Sequence, residues 1–304
     1  MIIATVLLGL LPSFLIVSLG GLVRRRLPVS AWVGLDKLNF ELLFPALIFI
    51  AASSRPIAVG DIARTGPAVW AIMAVGLMLG GLVRRAGPPR FLDFAGAWQT
   101  AWRFNTALSF VAIGALPHAD VAQLAVSIGL AVPVANVFAV TALSRGNALG
   151  LGQTLWRVGL NPFLLASLAG VAVGLGGLNL PAALLAPVRM LAQAAIPIAL
   201  LSIGATMEWR ALARIDLFAG AMVAIRLLVL PALTFAACIL AKADPSFAQV
   251  LVLFAALPTA SAAHVLAAGF GADRNLVATL IAQSTLLSGV TLPAWLIAAT
   301  LVFS

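Results

Sequence analysis

The densest run of potential chemistry is Pro258-Thr259-Ala260-Ser261, with His264 three residues further on, in a stretch that is otherwise apolar. Proline has no N–H and its ring clashes with the preceding turn, so a helix through Pro258 leaves the Phe254 carbonyl without its usual donor. The hydroxyls of Thr259 and Ser261 then lie at the positive end of a resumed half-helix, an arrangement that favours an anion. A second run is Arg103-Phe104-Asn105-Thr106, with Ser109 one turn beyond Asn105. It has no proline, so an interruption there depends on Asn105, whose amide can bridge unpaired backbone groups or meet a ligand. Arg103 can hold a carboxylate bidentately, or it can neutralise an acid. The plainer reading of both runs is a pair of kinked packing helices with no ligand.

Glu41 is the acid nearest the middle of an apolar stretch. It can carry a proton, pair with an arginine such as Arg103, or contact the substrate. Arg189 and Arg226 also fall inside apolar stretches and read as structural partners of acids that the sequence does not identify. His264 reads first as a hydrogen-bonded packing residue and second as part of a site. Gln193 and Gln283 are neutral groups able to line a cavity or bridge helices, and Gln283 joins the residues above as a candidate for contact with a small anion.

These groups must be positioned by a chain of 304 residues that is 63% hydrophobic and 9% charged, with a mean hydropathy of +1.14. Soluble domains are about half apolar and about a quarter charged, so this excess cannot be hidden in a soluble core of such size. The apolar runs are long and unbroken, which points to membrane-spanning helices and away from the alternating ten-residue strands of a membrane barrel. Ten segments of spanning length can be marked, at 3–23, 31–52, 62–83, 91–116, 119–143, 154–176, 181–206, 215–241, 246–270 and 274–302. Pro258 has about twelve residues of segment 9 on each side, or roughly 18 Å per half, so its break falls near the bilayer centre.

The 18 Lys+Arg are unevenly shared among the loops. Twelve fall on the face that carries Arg24-Arg25-Arg26, three on the opposite face and three inside segments. Basic loops stay in the cytoplasm, so both termini are expected outside it; 16 Arg against 2 Lys, with abundant Ala and Gly, read as the coding bias of a GC-rich bacterium, whose inner membrane is the expected location. Met1–Thr5 carries no side-chain charge, which argues against a cleaved signal peptide. The longest polar interruption, 144–153, divides the chain into 1–143 and 154–304 with five segments each. An odd number gives the halves opposite orientation, the arithmetic of an inverted repeat. A shift of 153 residues places Asn105-Thr106-Ala107 on Pro258-Thr259-Ala260, and Ala119-Asp120 on Ala272-Asp273. Pro45 and Pro197 hold corresponding places in segments 2 and 7, with Glu41 and Gln193 four residues before them.

Several strings are similar to the auxin efflux carrier family: LDKLNFELLFPALIF at 35–49, NPFLLASLAGVAVGLGGL at 161–178, AAIPIALLSIGATM at 194–207 and ALPTASAAHVLAAGFGADRN at 256–275. The resemblance covers nearly the whole chain. It implies an all-α polytopic fold of ten helices in two inverted five-helix repeats, with broken crossover helices 4 and 9 as in bile-acid-type symporters. It also implies a scaffold of helices 1, 2, 6 and 7, and a moving transport domain of helices 3–5 and 8–10. The function implied is secondary transport of a small organic anion such as malonate or malate, by an elevator-type mechanism. The family often has a proline seven residues after the helix-4 asparagine. Here that position is Ala112.

A drug/metabolite-type carrier also has ten helices in inverted halves, but its termini are cytoplasmic, against the loop charges here. An intramembrane enzyme lacks support, because paired Asp-rich motifs, HExxH and GxSxG are all absent. A channel or sensor would share the composition and is separated only by saturable exchange. Cys238 is the single cysteine, so neither an intrachain disulfide nor a cysteine-cluster metal site is available. No cofactor or metal is expected. The expected partners are the substrate anion and the bilayer; a homodimer is left open. Nucleic acid is excluded, since no basic patch is interleaved with stacking aromatics.

Overall fold

The computed structural model describes residues 2–53, 59–145, 152, 156, 159–160, 162–178, 180–206, 211, 213, 215–260 and 262–303. Among the described residues all regular structure is helical. The linker 144–153 lies outside them apart from Ser144, Arg145 and Gly152. In chain order the helices are α1 (Ile2–Val23), α2 (Val29–Leu38), α3 (Phe44–Ser53), α4 (Val59–Leu82), α5 (Phe91–Trp98), α6 (Thr106–Ala112) and α7 (Val121–Ser144). They continue with α8 (Pro162–Leu175), α9 (Ala182–Thr206), α10 (Leu217–Ala224), α11 (Leu230–Leu240), α12 (Pro245–Ala256), α13 (Ala262–Gly269) and α14 (Arg274–Val302).

Five stretches are long and apolar enough to cross a membrane uninterrupted: Ile62–Ala86, Val121–Ser144, Ala182–Ala205, Leu217–Leu240 and Arg274–Val302. Segments 2, 4 and 9 are divided for local physical reasons. A widened π turn at Asn39–Leu43 divides segment 2 into α2 and α3. Segment 4 is divided into α5 and α6, and segment 9 into α12 and α13. The described helix of segment 6 is Pro162–Leu175 alone.

Both π turns precede a proline. Pro45 has no N–H for the Glu41 carbonyl, and Pro231 has none for the Leu227 carbonyl, so each helix widens in the turn before it. The second orphan is satisfied from outside, where the Trp295 Nε1–H of α14 donates to the Leu227 carbonyl at 2.9 Å. That turn, Ile225–Val229, also carries Arg226.

α1 packs along α9, and α3 packs along α8 and α9. Small residues permit the approach. A Cβ on Gly20 would collide with the Leu201 carbonyl, one on Gly204 with the Val17 carbonyl, and one on Gly170 would lie 2.8 Å from Ala52 Cβ. The main core gathers α3, α4, α7, α12 and α14 around Trp102, Phe254 and Leu253. A smaller cluster, including Ala95, Leu143, Ala267 and Val277, joins α5 to the ends of α7, α13 and α14.

Acids begin the helices. Asp120, Asp216, Asp244 and Asp273 each accept a backbone N–H from the first turn of α7, α10, α12 and α14. Asp120 and Asp273 are the pair matched by the 153-residue shift. At one end of the molecule Asp93 accepts from the Asp273 N–H at 2.8 Å and faces Arg90 at 3.6 Å. At another surface point Arg64 lies 3.8 Å from Asp244 and over the Phe247 ring at 3.9 Å.

Candidate functional site

Segment 9 leaves the helical path where the sequence places its proline. α12 ends at Ala256, Leu257 is extended (φ −61°, ψ 141°), and α13 begins at Ala262. Segment 4 is interrupted as well, without a proline. The last turn of α5 tightens into a 3₁₀ turn at Gln99–Ala101, Trp102 departs from helix (φ −135°, ψ −15°), and α6 restarts at Thr106. Asn105 begins the new helix as its N-cap, its Oδ1 accepting from the Leu108 N–H at 3.2 Å. Ala112 ends α6 and passes into a further 3₁₀ turn, Ile113–Ala115, so the missing family proline does not prevent the break.

The two interruptions meet. The Asn105 N–H donates to the Pro258 carbonyl at 2.9 Å, and the Phe104 and Phe254 rings lie with centroids 4.5 Å apart. α5 packs against α13, and α6 against α12. A Cβ on Gly96 of α5 would lie 3.0 Å from Ala272 Cβ and 3.4 Å from Ala267 Cβ.

A broken helix exposes carbonyls that need donors, and here each break supplies the other. The Thr259 hydroxyl donates to the Thr100 carbonyl at 2.7 Å, in the turn that ends α5. The Thr259 N–H is held by Ser284 Oγ of α14 at 3.3 Å. Arg226 donates Nε to the Leu257 carbonyl at 2.6 Å and Nη2 to the Phe254 carbonyl at 2.9 Å. Arg226 is 0% exposed, and its third nitrogen, Nη1, is buried with no hydrogen-bond partner among the described residues.

Arg103 is buried beside the segment-4 break. It donates Nη1 to Gln99 Oε1 at 3.1 Å and Nη2 to Asn136 Oδ1 at 2.9 Å. Its neighbours are therefore neutral amides rather than Glu41. Glu41 is exposed in the π turn of segment 2 and makes no ion pair among the described residues. Ser109 is fully buried and turned back onto the Thr106 carbonyl at 2.7 Å, so its hydroxyl is occupied within α6. Thr106 is half-buried at the first position of α6, and His264 is half-buried on α13 with no hydrogen bond among the described residues. Ser261 lies outside the described residues. Gln283 is buried on α14, beside Ser284, and donates to the Ala211 carbonyl at 3.0 Å.

The structure thus brings together Asn105, Pro258 and Thr259, sets Arg103 beside them, leaves Glu41 exposed, and ties Gln283 to the Ala211 carbonyl. Arg226 belongs to this group although the sequence suggests an unidentified acid as its partner. It has none among the described residues, where its partners are main-chain carbonyls. Arg189, expected to be paired inside segment 7, is exposed. Thr100, Asn136 and Ser284 are further members that no motif marks. The one available signal is the Phe254 carbonyl, which Pro258 obliges some donor to satisfy.

Residues 147–296 match the family described as "Membrane transport protein". A protein of Rhizobium meliloti described as "Putative malonate transporter" is 30% identical over 313 residues, covering 92% of each chain. A protein of Methanothermobacter thermautotrophicus described as "Uncharacterized transporter" is 36% identical over 136 residues, 44% of each chain.

Proposed function

The chain belongs to the membrane transport protein family, which is the auxin efflux carrier family, and on that premise we propose that this membrane transporter carries a small organic anion, a mono- or dicarboxylate, by elevator-type alternating access. The observation that carries the reading is the hydrogen bond from the Asn105 N–H to the Pro258 carbonyl, which joins two helix interruptions inside apolar segments. Irregular backbone at membrane depth is tolerated where it is buried in protein or lines a cavity, and broken helices are where transporters of this kind bind their cargo. The relative from Rhizobium meliloti, described by its name as a malonate transporter, supports a dicarboxylate as cargo.

The proposed frame is ten helices in two inverted repeats, 1–143 and 154–304, with segments 4 and 9 crossing at their breaks. Support comes from the 153-residue spacing of Asn105 and Pro258, and from Asp120 and Asp273 capping the last helix of each half. Packing of α1, α3, α8 and α9 on one another supports a scaffold distinct from the helices that carry the breaks. The proposed site comprises Asn105, Thr106, Pro258, Thr259 and Ser261, with Arg103 close by and Glu41 as the proton-coupling acid.

Purified protein in proteoliposomes tests the reading. Labelled malonate should be taken up saturably and exchanged against internal malonate, which a channel would not do. Asn105→Ala and Thr259→Ala should each weaken binding by about tenfold, the loss of about 1.4 kcal/mol. Unchanged affinity in both folded variants places the site elsewhere.

A further inference from the structure

The described residues bury two charges, Arg103 and Arg226, and no acid. Seven of the nine acids have described side chains, and six of these seven are engaged elsewhere. Asp120, Asp216, Asp244 and Asp273 cap helix starts. Asp93 faces Arg90, Asp36 accepts from Ser202 Oγ, and Glu41 is exposed. Removing a charge from water without an opposite charge is costly, and neutral carbonyls offset only part of that cost. The two arginines are not equivalent. Both terminal nitrogens of Arg103 meet neutral amide oxygens. Arg226 is wholly buried, holds the two carbonyls at the broken end of α12 with Nε and Nη2, and leaves Nη1 without a partner among the described residues.

Other donors at the breaks are occupied. The Asn105 N–H serves the Pro258 carbonyl, the Thr259 N–H serves Ser284, and the Thr259 hydroxyl serves Thr100. An anion arriving between the breaks therefore finds few free backbone donors, whereas Arg226, in the turn between α10 and α11, touches the segment-9 break and keeps a charged donor uncommitted among the described residues. Resting on the reading of the preceding subsection, we propose that Arg226 is a substrate-binding residue: its Nη1 contacts a carboxylate of the carried anion, and its other two donors hold the end of α12 against that contact. The carboxylate meets the Nη1 side of the guanidinium, because Nε and one N–H of Nη2 are committed to the Leu257 and Phe254 carbonyls. This contact gives the site its preference for an anion over a neutral analogue of the same shape, and cargo binding supplies an acceptor to the guanidinium nitrogen that has none among the described residues.

Two measurements test this. The first is calorimetry with malonate in detergent, on Arg226→Lys and Arg226→Gln alongside the unaltered protein. Arg226→Gln should weaken malonate binding by tenfold or more, and Arg226→Lys should restore part of it. The second uses the unaltered protein in lipid, with ¹⁵N-labelled arginine and ¹³C-carboxyl malonate, so that it does not depend on a variant folding. A carboxyl carbon should show a through-space coupling to an arginine side-chain nitrogen that persists in Arg103→Lys and disappears in Arg226→Lys. Bound malonate with no coupling to arginine, or with a coupling that disappears in Arg103→Lys instead, overturns the Arg226 assignment while leaving the transport reading intact, provided Asn105→Ala and Thr259→Ala still weaken binding. Absence of malonate binding to the unaltered protein overturns the dicarboxylate reading, and this inference with it.

Discussion

Arg226 donates its Nη2 to the Phe254 carbonyl at 2.9 Å, and Phe254 stands four residues before Pro258, at the carbonyl that a proline leaves without its helical donor. A side chain on a different helix thus replaces the N–H that the sequence removes. It also places a positive charge at the negative end of the α12 dipole, where a cation is favoured. The interruption of segment 9 is in this sense built by two residues 32 positions apart. Proline breaks the ladder, and the guanidinium satisfies what is left.

Pro258→Ala restores an N–H that competes with Arg226 for the Phe254 carbonyl. Alanine is favoured over proline by about 3 kcal/mol in a helix interior, so α12 should extend toward α13 and draw the chain away from Asn105. Malonate uptake by reconstituted protein should fall by about tenfold or more, while the protein still extracts as a folded species. Full uptake would show that the break is held by its neighbours and not by proline.

Thr259→Val keeps the shape of the side chain and removes the hydroxyl that serves the Thr100 carbonyl at 2.7 Å. A buried acceptor left unsatisfied costs about 1–3 kcal/mol. Denaturation in detergent should show that loss in Thr259→Val and little of it in Thr259→Ser. Equal stability of the valine variant would mean that the Thr100 carbonyl has another partner.

The part of this site that is legible in the sequence is the part governed by local chain chemistry. Pro258 announces its break because a missing N–H is a property of one residue. Asn105 hints at the other because its side chain is a good N-cap, yet the tightened turn Gln99–Ala101 has no comparable signature. For Arg226 the sequence suggests an acid, because charge suggests opposite charge, whereas its partners are carbonyls 28 and 31 residues away, and every residue has a carbonyl. Arg103 is similar: its partner Asn136 lies 33 positions on, with nothing in the intervening sequence to connect them. Hydropathy locates the segments. It cannot show that segment 2 widens before Pro45, because a π turn changes hydrogen bonding and leaves composition untouched.

Gly204→Leu should separate α1 from α9. Even the Cβ of a substituted side chain falls on the Val17 carbonyl, which is backbone and cannot move aside as a rotamer would. Overpacking of this kind costs about 1–3 kcal/mol, occasionally more. The thermal midpoint in detergent should drop, and Gly204→Ala should already show the effect. An unchanged midpoint in both would mean that the α1–α9 contact is loose enough to open.

Glu41→Gln should flatten the pH dependence of malonate uptake if Glu41 carries the coupled proton. The substitution breaks no ion pair among the described residues, since Glu41 makes none, so stability is expected to change by no more than about 0.5 kcal/mol, as at ordinary surface positions. The two readouts are therefore separable. A variant that keeps the full pH profile at unchanged stability removes Glu41 from the coupling mechanism.

Orientation follows from the loop charges and from which loops touch. Arg90 donates to the Gly271 carbonyl, and Asp93 accepts from the Asp273 N–H, so the loops before α5 and before α14 share one side. Both belong to the set that carries the excess of arginine. Arg64 and Asp244 meet in the same way, joining the start of α4 to the start of α12 on the side where arginine and lysine are few. Basic loops are retained in the cytoplasm, which predicts the 144–153 linker inside and both termini outside. In a Cys238→Ser background, Val302→Cys should react with an impermeant maleimide added to intact cells, and Ala148→Cys should react only after the membrane is opened. Labelling of Ala148→Cys from outside would invert the protein in the membrane, and with it the side on which the 144–153 linker lies.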